Sequence, residues 1–108
     1  MKTSQIKFHN QESVEIRGEL TTGKNIVVGS NVIIEGNVRL GDNVIIGDYV
    51  KIIESDVGDG THIRDHTIVE NSRIGSESFI GPYARLRPDS TIGNKCQIGN
   101  FVEIKNSS

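Results

Sequence analysis

The sequence predicts an all-β fold, a parallel β-helix of hexapeptide repeats, from three observations. An aliphatic residue recurs every six positions: Ile16, Thr22, Val28, Ile34, Leu40, Ile46, Ile52, Val57, Ile63, Val69, Ile74, Ile80, Leu86, Ile92, Ile98 and Ile104. Fifteen of these sixteen anchors are apolar, and two steps, Ile52 to Val57 and Val69 to Ile74, are five residues long. Nine of the twelve glycines directly follow an anchor. The fourth residue after an anchor is aliphatic early in the chain (Leu20, Ile26, Val32, Val38, Val44, Val50) and mostly small later (Thr61, Thr67, Ser78, Ala84, Ser90, Cys96). A period of six is a multiple of two and not of the helical repeat of about 3.6, so it describes short strands turned at fixed corners.

Residues 1–15 precede the repeat. Ile6, Phe8, Val14 and Ile16 alternate, which suggests a strand or a cap closing the first coil. Residues 16–108 form the β-helix. Three strips make one coil of about eighteen residues, so sixteen strips make roughly five coils. Strands stacked about 4.8 Å apart give a prism about 25 Å tall. Glycine after the anchor is expected to supply unusual backbone angles at the corner. The two five-residue steps either loosen the coil or tighten a corner. The last strip reaches Ile104, and no C-terminal cap is expected after it.

Composition narrows the function classes. With 108 residues the chain allows one domain. A net charge of -2 with mixed signs gives no basic face for nucleic acid or anionic lipid. There is no apolar run of membrane-spanning length and no apolar signal core at the N-terminus, which points to the cytoplasm. One cysteine, Cys96, excludes an internal disulfide and a multi-cysteine zinc site, and its small inward position reads as packing. His62 and His66 bracket an anchor and do not share a helical face, so no metal is expected.

Residues one coil apart stack, so the outer faces are read as columns. The residue before the anchor gives Val27, Ile45, His62 and Phe79, followed by Gln97, in one column. A mostly apolar exposed strip marks an interface, and these four residues are the expected oligomer contact. A second column, Arg39, Asp56, Arg73 and Thr91, reads as solvated. The residue after the anchor on another face gives Glu35, Ile53, Glu70, Arg87 and Lys105. Arg87 and Lys105 stand eighteen apart, with Arg85 flanking Arg87. The two cations either splay into solvent, or Arg87 pairs with Glu70, or an anion sits between them. In the last case Arg87 is the bidentate phosphate ligand and Lys105 a point charge. No pair of carboxylates stands out as catalytic.

Three stretches go beyond a generic hexapeptide: Val32-Ile33-Ile34-Glu35-Gly36-Asn37-Val38, Ile80-Gly81-Pro82-Tyr83-Ala84-Arg85-Leu86-Arg87-Pro88 and Ile98-Gly99-Asn100-Phe101-Val102-Glu103-Ile104-Lys105. They resemble the first coils of the acetyltransferase domain of the bacterial bifunctional N-acetylglucosamine-1-phosphate uridylyltransferase / glucosamine-1-phosphate acetyltransferase. The resemblance runs from about Ile16 to the C-terminus. It implies a left-handed β-helix, a homotrimer, and contact of Arg87 and Lys105 with a sugar phosphate. That family's nucleotidyl domain, the histidine of its His-Leu-x-Tyr segment, which serves as general base, and the later coils that hold acetyl-CoA have no counterpart in these 108 residues. Acyl transfer needs such a base. The expectation is therefore a shortened relative in UDP-N-acetylglucosamine synthesis that keeps part of a site for a sugar phosphate or nucleotide sugar. It is expected to be inactive alone, with no catalytic residue of its own and no cofactor, acetyl-CoA entering only if a partner supplies the missing coils. Two alternatives stand beside it: a structural module that stacks on another chain, and an active acyltransferase with a different base.

Overall fold

Short strands separated by fixed corners can satisfy their backbone only against neighbouring coils, and the chain does this throughout. The computed structural model describes residues 6–99 and the backbone of 102–104. The first coil holds β1 (Ile6–Phe8), β2 (Glu15–Arg17) and β3 (Leu20–Thr22); the second β4 (Ile26–Val28), β5 (Ile33–Glu35) and β6 (Val38–Leu40). The third holds β7 (Ile45–Ile46), β8 (Lys51–Ile53) and β9 (Asp56–Val57); the fourth β10 (His62–Ile63), β11 (Ile68–Glu70) and β12 (Arg73–Ile74). Then come β13 (Phe79–Ile80), β14 (Ala84–Leu86) and β15 (Thr91–Ile92), and finally β16 (Gln97–Ile98) and β17 (Val102–Ile104). Three all-parallel sheets result: sheet A, β1-β4-β7-β10-β13-β16; sheet B, β2-β5-β8-β11-β14-β17; and sheet C, β3-β6-β9-β12-β15. The architecture is the left-handed parallel β-helix, a prism of 33 × 21 × 20 Å. β1 lies ahead of the first anchor and already pairs with β4, Ile6 opposite Ile26.

The anchors form the core. Those from Val28 to Ile92 are all buried, while Ile16, Thr22 and Ile98, nearer the ends, are half-buried. The later inward positions are buried hydroxyls: Thr61, Thr67, Ser78 and Ser90. Each needs a partner, since an unsatisfied buried hydroxyl is costly. Thr61 Oγ1 donates to the Gly75 carbonyl at 2.6 Å and accepts from the Ser78 N–H at 3.2 Å. Ser78 Oγ in turn donates to Gly93 O at 2.9 Å and accepts from the Cys96 N–H at 3.1 Å. These inward side chains link one coil to the next. The five-residue steps tighten the sheet B–sheet C corner without loosening the coil. Arg39, Asp56 and Arg73 stay in register across them. Ser55 and Ser72 become the buried residues there, and Ser55 Oγ accepts from the Ser72 N–H at 3.0 Å.

The glycines after the anchors serve a purpose different from the expected one. Of the nine, only Gly81 has positive φ; the left-handed residue usually comes three positions after the anchor, as at Asn25 (φ 60), Asn43 (φ 60), Tyr49 (φ 58) and His66 (φ 58). What the glycines supply is the missing Cβ. A Cβ on Gly29 would run into Asp48 Oδ1 and sit 2.7 Å from the Gly47 carbonyl in the next coil. Asp48 Oδ1 occupies that space because it accepts the Ser30 N–H at 2.8 Å. Corner backbone and corner side chain thus stack in the room a Cβ would take.

Two glycines two residues apart separate these effects. Gly58 has ordinary φ, but its Cβ would lie 2.6 Å from the Gly75 carbonyl carbon. Gly60 has φ +68 and space, with Glu77 Cγ at 3.4 Å. Gly58→Ala is expected to lower unfolding stability by about 1–3 kcal/mol in urea titration. Gly60→Asn is expected to cost less than about 1 kcal/mol, because Asn tolerates left-handed backbone.

Candidate functional site

Outward side chains form straight columns because the strands pair without slippage. On sheet A, Val27 faces Ile45, Ile45 faces His62, His62 faces Phe79 and Phe79 faces Gln97. Ile45 is 38% exposed, and Val27, His62 and Phe79 are half-buried. The His62 ring meets Phe79 edge to face, with centroids 4.8 Å apart at 64°. Arg64 lays its guanidinium 5.1 Å from the same ring's centroid. Burial, and then the Arg64 charge, push the His62 pKa below its ordinary 6.5. A hollow of about 310 Å³ lies beside this cluster, lined by Ile45, His62, Arg64, Asp65 and Pro82 among others.

Arg64 is a residue that sequence reasoning missed, and its signal was present. After the sheet A anchors the chain carries Gly29, Gly47, Arg64, Gly81 and Gly99. The corner explains the exception. Gly29 and Gly47 yield their Cβ space to Asp48 Oδ1 and Asp65 Oδ1 from the next coil. Above Arg64 the corresponding residue is Pro82, which has no such oxygen. A side chain therefore fits at Arg64 and reaches Phe79.

Two positions after that column, Tyr49, His66 and Tyr83 stack at the sheet A–sheet B corner. Their centroids are 5.0 and 4.8 Å apart and their planes are parallel within 3°. The ring faces cover one another, so the stack presents edges outward and not a flat platform. His66 is thus a rung of this stack while His62 lies on sheet A. Among the described residues no cluster of His, Cys, Asp and Glu suits a metal ion. No described helix is long and apolar enough to cross a membrane.

Sheet B carries the charged face. Arg17 Nε lies 2.5 Å from Glu15 and its Nη1 3.3 Å from Glu35. The Arg17 hydrogen bond, and then its charge, hold the exposed Glu15 carboxyl below its usual range. Two coils above Glu35 stands Glu70, at 3.9 Å from Arg85 Nη2. At that distance the pair is a Coulombic contact and not a hydrogen bond. Arg85 and Arg87 flank the buried Leu86, Arg85 exposed and Arg87 half-buried. The Arg87 carbonyl accepts from Ser72 Oγ at 3.2 Å and Ser90 Oγ at 2.8 Å, which fixes the backbone where the side chain departs. Lys105 lies outside the described residues. A second hollow, about 360 Å³, sits at the sheet B–sheet C corner among Glu54, Asp56, Asp89 and Arg73. Its three carboxylates make it a poor anion site.

The fold and its columns define a hexapeptide-repeat β-helix protein with one largely apolar face and two charged ones. The chain belongs to the family of the GMPPB C-terminal domain, whose model matches residues 16–108. It is 48% identical over 92 residues to the bifunctional protein GlmU of Marinomonas sp. (strain MWYL1), covering 85% of this chain and 20% of that one. It is 46% identical over 103 residues to the bifunctional protein GlmU of Thermodesulfovibrio yellowstonii, covering 95% and 23%. The chain thus spans about a fifth of the length of these curated relatives. Its resemblance to the GlmU acetyltransferase domain holds. The acetyltransferase domain of PglB from Neisseria gonorrhoeae, solved with acetyl coenzyme A, shares the fold, with a TM-score of 0.63 at 20% identity. That match covers 96% of this chain and 55% of the other.

The Glu70–Arg85 contact is exposed and long, so it should add little to stability. Glu70→Gln is expected to change unfolding stability by less than about 0.5 kcal/mol in urea titration.

Proposed function

We propose that this chain binds the phosphate of an amino-sugar phosphate or nucleotide sugar on the outer face of sheet B, and that these 108 residues carry out no acetyl transfer alone. The observation that carries this reading is the pair of arginines, Arg85 on β14 and Arg87 just past its end, either side of buried Leu86. Arg87 is the bidentate phosphate ligand, and its guanidinium fork suits two phosphate oxygens at once. Arg85 contributes charge from beside it. Lys105, eighteen residues on from Arg87, supplies a further point charge. The resemblance to the GlmU acetyltransferase domain supports a sugar phosphate as the anion's source.

The assembly is a cyclic homotrimer packed through the sheet A column. Of the three outer faces, sheet A carries the stretch richest in apolar side chains, Val27, Ile45, His62 and Phe79 between Lys7 and Gln97, while sheets B and C carry charged columns. A single apolar strip parallel to the prism axis suits closed cyclic packing, in which every copy buries the same face. His62 and His66 lie on sheet A and at its corner, and neither matches the family's general base. A reducing compartment, the cytoplasm, suits a chain whose cysteine, Cys96, is free.

Titration with glucosamine-1-phosphate while following the thermal midpoint tests the site. A ligand that binds only the folded state adds about 2.7 kcal/mol at a hundred times its dissociation constant. The midpoint should rise with concentration, and Arg87→Ala should abolish the rise. Glu70→Gln, which removes a nearby negative charge, should tighten binding about two- to fivefold by weakening local repulsion. No rise at millimolar ligand, or an equal rise in Arg87→Ala, overturns the site. Release of coenzyme A from acetyl-CoA by this polypeptide overturns its inactivity.

A further inference from the structure

The sheet A strip contains one ionisable ring that its surroundings do not neutralise. His62 sits in the middle of the column, between Ile45 on β7 and Phe79 on β13, and neither neighbour titrates. Among the described residues no carboxylate pairs with it. The charged group that acts on it is Arg64, whose guanidinium rests on the same Phe79 ring. Asp65, the carboxylate lining the same hollow, has its Oδ1 engaged by the Asp48 N–H at 2.8 Å. Protonation of His62 would therefore place a second cation beside Arg64 inside an apolar strip.

We propose that the sheet A strip is a pH-sensitive contact between copies of this chain, in which acidification charges His62 and drives the copies apart. This rests on the proposed assembly through sheet A. The neutral ring packs edge-on against Phe79 and can be covered by an apolar surface at little cost. The charged ring would have to lose water next to Arg64 with no counter-ion to receive it.

The sign follows from linkage. Burial and Arg64 already hold His62 below 6.5 in the single chain. Covering the strip with a second copy adds desolvation and moves it further down. Separated copies then bind protons more readily than packed ones, so association is full well above 6.5 and weakens only as pH falls below 6.5, into the lowered range of the separated copies. Each unit of difference between the free and covered states is a tenfold change in the equilibrium per site. Association at pH 5 should be weaker than at pH 8, by a factor that grows with the number of His62 rings covered in the assembly.

Sedimentation equilibrium of the full chain at pH 8 and pH 5 tests this, with circular dichroism confirming that β-structure persists at both. The expected result is an oligomer at pH 8 that dissociates at pH 5. His62→Phe, which keeps a flat apolar ring, should stay associated at both values, while His66→Phe, altered at the neighbouring corner, should dissociate like the parent. An oligomer of unchanged affinity at both pH values overturns the switch and leaves the sheet A assembly standing. Dissociation that persists in His62→Phe overturns the switch as well. A monomer at pH 8 at all concentrations overturns the assembly itself, and the switch with it.

Discussion

Everything in this molecule depends on the hydrogen bonds between coils. A strand of two or three residues has no stability of its own, and each strand here is completed by the neighbouring coils, on both sides in the interior of each sheet. The corners obey the same rule. Gly23 N–H donates to Leu40 O, Gly41 N–H to Val57 O, Gly58 N–H to Ile74 O and Gly75 N–H to Ile92 O, all between 2.8 and 2.9 Å. Every coil must bring the same groups to the same height. That demand explains the small aliphatic core, the left-handed corner residues and the glycines with no room for a Cβ.

At several corners a glycine and an acceptor side chain form a linked pair. Asp48 and Asp65 reach across to a backbone N–H in the neighbouring coil, and the glycine there leaves space for the oxygen. Where the chain has Pro82 in place of such an Asp, the residue below is freed and becomes Arg64. A local exchange at a corner therefore places a cation on the middle of an apolar face. The five-residue steps work similarly: the corner shortens, Ser55 and Ser72 turn inward, and the sheet C register is kept.

This rigidity is what gives outward residues functional meaning. Each strand exposes few side chains, and stacking turns them into columns with fixed spacing. Sheet A gathers Val27, Ile45, His62 and Phe79 into one apolar strip. Sheet B sets Arg85 on β14 and Arg87 just past its end, with Glu70 one coil below. An arginine-bearing strand edge and an apolar strip are thereby held at a fixed angle on one prism, without a loop to arrange either.

The sequence by itself determined the prism. Its six-residue period identified the anchors, and the same count placed Ile45 over Val27 and Phe79 over His62 before any coordinates. The count was sufficient because inter-coil pairing permits no slippage. The partners of long side chains lay beyond its reach. Glu70 meets Arg85 diagonally, Arg64 folds back onto Phe79, and Tyr49, His66 and Tyr83 stack in parallel. Column position says which residues are neighbours but not which rotamer each flexible stem adopts. The reason for the glycines was hidden in the same way. Glycine after an anchor suggests an unusual φ, whereas only the stacked coils reveal that the Cβ position is already filled by the next corner. Period and polarity are properties of the chain, but steric exclusion between coils exists only once the chain is wound.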